Sequence, residues 1–228
     1  MIYLEKLLNI LIRANLLKYF GIIILKLPFF NKIKKKGNNN LIINKGSLII
    51  NSKIEIYGSN NTIKIGKLSR IKNMRIVIHG DNNNVDIDDK VYINDLGLCM
   101  DFNDNNFSIG KNTIINNQSH FSCMEGTSII IGSDCLFSSN IIIRTCDSHS
   151  IVDHFGKRLN KSKNILIGNH VWVGANVTFL KGAEVSENSV VAINSIITKK
   201  FTTTGCILAG IPAKVVKCDI NWDKYLIK

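Results

Sequence analysis

The sequence predicts an all-β chain, a three-sided parallel solenoid preceded by a short helical segment. Ile43, Ile65, Ile87, Ile109 and Ile131 fall 22 residues apart, and six residues after each stands Ile49, Ile71, Ile93, Ile115 or Phe137. Further along the six-residue step stands alone, in Ile167, Val173, Phe179, Val185, Val191 and Ile197. An α-helix cannot use this pattern, because a six-residue step turns a helical position by about 240° and scatters the apolar residues over three faces. On a triangular coil each hexad is one short strand with its aliphatic side chain turned inward. Successive coils then stack about 4.8 Å apart.

Residues 1–36 come first. Leu4, Leu7, Leu8, Leu11, Leu16, Leu17 and Phe20 are spaced by three, four and their sums, the pattern of an amphipathic helix. Lys6, Arg13, Lys18 and Lys26 interrupt it too often for a membrane span. The segment holds eight Lys/Arg against Glu5, more than half of the net +12 of the chain, and Lys32, Lys34, Lys35 and Lys36 close it as a polybasic flank. Two readings stand: a helix packed on the main domain or on a neighbouring subunit, or a peripheral contact with an anionic membrane surface.

The solenoid is expected over residues 37–218. Four residues after each leading apolar position sits a compact or β-branched residue: Ser47, Ser69, Val91, Thr113 and Cys135, then Val171, Val177, Ala183, Ser189 and Ser195. A tight corner requires that. The strings GSNN at 58, GDNN at 80 and NDNN at 103 supply Gly and Asn where the chain must turn through left-handed conformations. Residues 147–163 break the hexad and are expected to leave the stack as an excursion loop. Residues 219–228 form a tail, and the N-terminal helix together with Asn221–Lys228 is expected to cap the two open ends.

With 45% hydrophobic residues and 2 prolines in 228, the chain has enough apolar material for one well-cored domain. Its Lys and Arg are not interleaved with aromatics and no nucleic-acid-binding motif occurs, which excludes nucleic acid as the expected partner. Cys99, Cys123, Cys135, Cys146, Cys206 and Cys218 show no CxxC spacing and follow no cleavable secretory signal. The expectation is a reduced, cytoplasmic protein at or near the inner face of a membrane, with neither a metal site nor a disulfide framework. His79, His120, His154 and His170 read as surface or packing residues.

The hexads, the string DSHS at 147, the stretch ILIGNHVWVGANVTFLKGAEV, and AINSIITKK followed by AGIPAKVVK together resemble the hexapeptide-repeat acyltransferases with a left-handed β-helix. Within that family the sequence is most similar to the enzymes that O-acetylate bacterial capsule or lipooligosaccharide sugars, sialic acid and polysialic acid among them. The resemblance implies an acetyl-CoA-dependent O-acetyltransferase, active as a homotrimer with its sites between subunits. It makes His149 the general base on the acceptor hydroxyl, a role that suits imidazole because its ordinary pKa of about 6.5 leaves it largely neutral near neutral pH. Trp172 matches the aromatic that shapes the site against the acceptor and the thioester arm. Ala175 and Ile193 match positions along the pantetheine, Thr198 and Lys199 a pair near the distal part of CoA, and Lys214 and Lys217 basic residues near its phosphates; Lys200 extends the same basic run. Asn194 stands where relatives carry Gly, and the left-handed turn is expected to survive because Asn tolerates that conformation. The excess positive charge is compatible with an acidic sugar acceptor. N-acetylation of an amino-sugar nucleotide and a purely structural solenoid are the alternatives.

Overall fold

The computed structural model describes residues 31–227, and among them the chain is a left-handed parallel β-helix of three sheets with eight, eight and nine strands. Each coil contributes one strand to sheet A, one to sheet B and one to sheet C, in that order. Residues 1–30, with the amphipathic leucines, lie outside the described part. Residues 31–36 do not continue a helix: Asn31–Lys36 is the first strand of sheet A, paired in parallel with Ser52–Tyr57.

Register explains the period. Thr62 pairs with Asn84, Arg70 with Tyr92 and Arg75 with Gly97, each step being 22 residues. Past the excursion the step shortens to 18, as in Leu166 with Glu184 and Trp172 with Val190. The predicted inward positions from Ile65 to Ile197 are buried, as are the compact corner residues beside them. Ile43 is the exception and is exposed. The first coil is one residue shorter, so that Asn44 rather than Ile43 pairs with Ile65, and a slip of one residue turns a strand inside out.

Two corners are stitched by buried side chains. Between sheets A and B, the carboxamides of Asn40, Asn61, Asn83 and Asn105 form a ladder: Asn83 Nδ2 donates to Asn61 Oδ1 (3.1 Å) and to Phe102 O (3.0 Å), and Asn105 Nδ2 donates to Asn83 Oδ1 (2.8 Å). The preceding residues Asn60, Asn82 and Asp104 have φ of 59°, 58° and 62°, the left-handed turns expected of these strings. The ladder passes to Thr127 and from there to Thr145, where the excursion begins. Between sheets B and C the hydroxyls of Ser47, Ser69 and Thr113 play the same part, each accepting from the next coil's backbone or donating to a carbonyl one coil away.

The last strand, Ala213–Lys217, folds back antiparallel on Ile207–Gly210 and covers the lower edge of sheet C. This hairpin, not the tail, caps that edge. It also brings Cys206 and Cys218 together as a disulfide, which corrects the expectation of free cysteines; the two meet because the chain reverses between them. The tail then runs back up the flank, away from the open end.

Candidate active site

The excursion leaves and returns at one point. Lys163 N donates to Thr145 O (3.0 Å), and the register jumps from 22 to 36 residues across it. It emerges at the corner between sheets A and B. Inside it, Ser148 takes a left-handed φ of 65° and Arg144 Nη2 donates to its Oγ, so that the backbone turns sharply just before His149.

Four side chains hold the loop. Asn160 is 7% exposed, donates through Nδ2 to His149 O (2.7 Å) and to Asp147 Oδ2 (2.8 Å), and accepts from Ile151 N (2.7 Å). Arg158 forms a two-pronged ion pair with Glu125 of the coil above (2.6 and 3.0 Å), and Ser162 Oγ donates to the same carboxylate. Asp147 pairs with Lys181 of the coil below. These cations and donors hold both carboxyls below their ordinary values: Lys181 and then Asn160 for Asp147, Arg158 and then Ser162 for Glu125. At the tip, Asp153 Oδ1 accepts from Phe155 N and Lys157 N, and Ile151, Val152, Phe155 and Leu159 are exposed. Neither loop aspartate serves His149 directly. The carboxylate of Asp147 faces Lys181 and Asn160, and that of Asp153 faces the backbone of its own turn.

The imidazole of His149 is exposed on this fixed arm. Below the arm the same corner forms an open groove lined by Ser162, Lys163, Lys181, Thr198, Lys199 and Lys200. Glu184 neutralises Lys200 (2.9 Å) and Asp147 neutralises Lys181, but lysines still outnumber carboxylates there, which suits an anionic ligand. Thr198 and Lys199 therefore share a corner with the excursion.

Other predicted residues lie elsewhere on the prism. Ala175 and Ile193 stack at the corner between sheets C and A, where Asn194 N donates to Ala175 O (2.9 Å). Asn194 has φ of 59°, so the turn expected to tolerate Asn in place of Gly is made. Lys214 and Lys217 are exposed on the returning strand at the edge of sheet C. Trp172 stands on sheet C, 42% exposed, on the side of the prism away from the corner that carries His149. One chain thus supplies all the predicted residues without bringing His149 and Trp172 to one place.

Sequence reasoning missed Glu125, Arg158, Asn160 and Lys181, because these partners stand 13 to 37 residues apart and each contact has one end in the aperiodic excursion, whose course no period sets. The buried amide at Asn160, alone among exposed polar neighbours, is a signal that only burial reveals. Trp222 was missed as well. Of the remaining histidines, His79 pairs with Asp101 and stacks on Tyr57, His154 packs on Phe155, and His120 is exposed on sheet A.

No protein-family model matches the chain. A polysialic acid O-acetyltransferase of Escherichia coli O1:K1 is 38% identical over 98 residues, 42% of this chain and 32% of that relative. The chain spans about a third to a half of the length of the curated relatives it matches. Among solved structures, the polysialic acid O-acetyltransferase OatWY superposes with a TM-score of 0.83 at 34% identity, over 86% of this chain and 92% of OatWY. The polySia specific acetyltransferase NeuO superposes with a TM-score of 0.75 at 29% identity, over 86% and 90%.

Proposed function

Because the chain belongs to the hexapeptide-repeat acyltransferases, in the group of the polysialic acid O-acetyltransferases, we propose that it transfers acetyl from acetyl-CoA to a hydroxyl of an acidic surface polysaccharide such as polysialic acid. The observation that carries this reading is the fixed arm holding His149 above a lysine-lined groove on the same corner. The anionic CoA fits that lining, with Thr198 and Lys199 beside it, while Lys214 and Lys217 offer further positive charge at the edge of sheet C, outside the groove. The basic surface equally suits a carboxylated acceptor.

In the proposed reaction the imidazole of His149 takes the proton of the acceptor hydroxyl as that oxygen attacks the thioester carbonyl. The C–S bond of the tetrahedral adduct then breaks, and the CoA thiolate recovers the proton from the imidazolium. The proposed course is direct transfer, and three of the cysteines are poorly suited to carry the acetyl group. Burial pushes the thiols of Cys99, Cys123 and Cys135 up to about 11, which leaves them protonated and poorly nucleophilic near neutral pH.

The separation of His149 from Trp172 on one chain supports a homotrimer in which the arm of one subunit, with its exposed Ile151, Val152 and Phe155, meets the sheet C side of the next. Residues 1–36 are its proposed membrane contact. The test is thiol release from acetyl-CoA with polysialic acid as acceptor, with NMR of the product and light scattering for the mass. Wild type is expected to release thiol, acetylate a hydroxyl rather than an amine, and scatter as three 25.5 kDa chains. His149→Ala is expected to lose about 10²- to 10⁴-fold in kcat. Full turnover by that variant removes the assigned base, and failure to consume acetyl-CoA with any glycan removes the transfer reading.

A further inference from the structure

The chain has two tryptophans, and its tail lays one against the other. Beyond the Cys206–Cys218 disulfide, Ile220 N donates to Gly205 O (3.0 Å), which starts the tail along the flank. Trp222 then lies flat on the imidazole of His170, with centroids 4.3 Å apart and planes 9° apart. Its Nε1 donates to the backbone oxygen of His170 (2.8 Å) across 52 residues of sequence. The same indole leans on Trp172 at 6.1 Å and 44°, the tilted geometry that aromatic pairs favour. His170 is itself fixed at the corner, by a left-handed φ of 53° and a 3.1 Å contact between Nδ1 and Asn188 Oδ1.

An indole at 42% exposure on a two-residue strand has several staggered rotamers open to it, and a ring packed against one side removes some of them. We propose that Trp222 is a positioning residue: clipped to His170, it holds Trp172 in the one orientation that presents its face to the acceptor sugar. The proposal rests on the acyl-transfer reading for its consequence, but its mechanical part stands alone. Restricting Trp172 before the sugar arrives lowers the ordering cost of binding, so the effect falls on the acceptor and not on CoA.

Trp222→Ala and Trp222→Phe each leave Trp172 as the sole emitter, so their fluorescence anisotropy decays are directly comparable. The phenylalanine retains a ring over His170 and is expected to keep Trp172 slow. The alanine variant is expected to add a fast component to the decay. It should raise KM for polysialic acid by about two- to tenfold, the range an aromatic pair is worth, with kcat and KM for acetyl-CoA within about twofold of wild type. A tail clip with only a structural role predicts equal Trp172 order in both variants, or an unchanged acceptor KM, and either result overturns the proposal. If wild type turns over no glycan, the transfer reading falls by itself, and the anisotropy comparison still upholds or overturns the clip.

Discussion

Asn160→Ala tests whether the order of the loop governs catalysis. The side chain makes three bonds of 2.7 to 2.8 Å, to Asp147 Oδ2, His149 O and Ile151 N, and so pins the backbone on both sides of His149. A neutral bond contributes about 0.5–1.5 kcal/mol net and one to a charged group about 1.5–3 kcal/mol. Water replaces part of this in an exposed loop, which leaves about 2–3 kcal/mol favouring the pinned arrangement. That corresponds to about a 30- to 150-fold preference, and kcat/KM is expected to fall by up to that factor. Taken from the folded state, that loss should lower the thermal midpoint by about 4–12 °C. Hydrogen exchange should quicken over residues 147–160 while the strands of sheets A and B stay protected. Asn160→Asp should be at least as damaging, because it sets a carboxylate against Asp147 and the carbonyl of His149. An Asn160→Ala enzyme with wild-type kcat/KM and a mobile loop would refute the link between this pin and catalysis.

Acid should open the same loop. Asp147 and Glu125 titrate in the fold below their ordinary 3.8 and 4.5, so their hold is complete above those values and is lost as pH falls through the depressed ones; exchange over residues 147–160, corrected for intrinsic rate, should rise below about pH 4 before the core unfolds. In the corner ladder, Asn83→Ala strands the Asn105 backbone amide, which donates to Asn83 Oδ1 (3.0 Å), while the Phe102 carbonyl keeps Asn105 Nδ2 as a donor (3.1 Å). It should cost about 2–4 kcal/mol and about 4–16 °C in Tm by calorimetry, whereas Asn84→Ala, one residue on and partly solvated, should cost less than about 1 kcal/mol.

The fold was legible because a parallel solenoid sets each residue beside its equivalent one coil away, so the contacts of the core recur in the sequence as a period. Ile87, Phe137, Phe179 and Ile197 are buried where that period places them, and the lapse after Arg144 marks where the chain leaves the stack. Ile43 misled because a single missing residue in the first coil changes which face a strand shows, and no period reveals a register slip at its own first repeat.

The candidate site was legible in its residues and not in its assembly. His149 could be named from DSHS, and Thr198 and Lys199 from the terminal motif. Which corner each one occupies depends on how many strands separate them, and only the wound chain sets His149 above Thr198 and Lys199 while leaving Trp172 on another side.

The sequence by itself determined the coil, its three sides, its inward positions and the start of the excursion, since all of these follow from spacing along the chain. Only the tertiary structure decided how the excursion is held, by Glu125, Asn160 and Lys181, that Cys206 meets Cys218, and that Trp222 rests on His170. Those contacts tie the aperiodic excursion and tail to single side chains of the coils, and nothing in their spacing says which will be near which until the stack has brought them together.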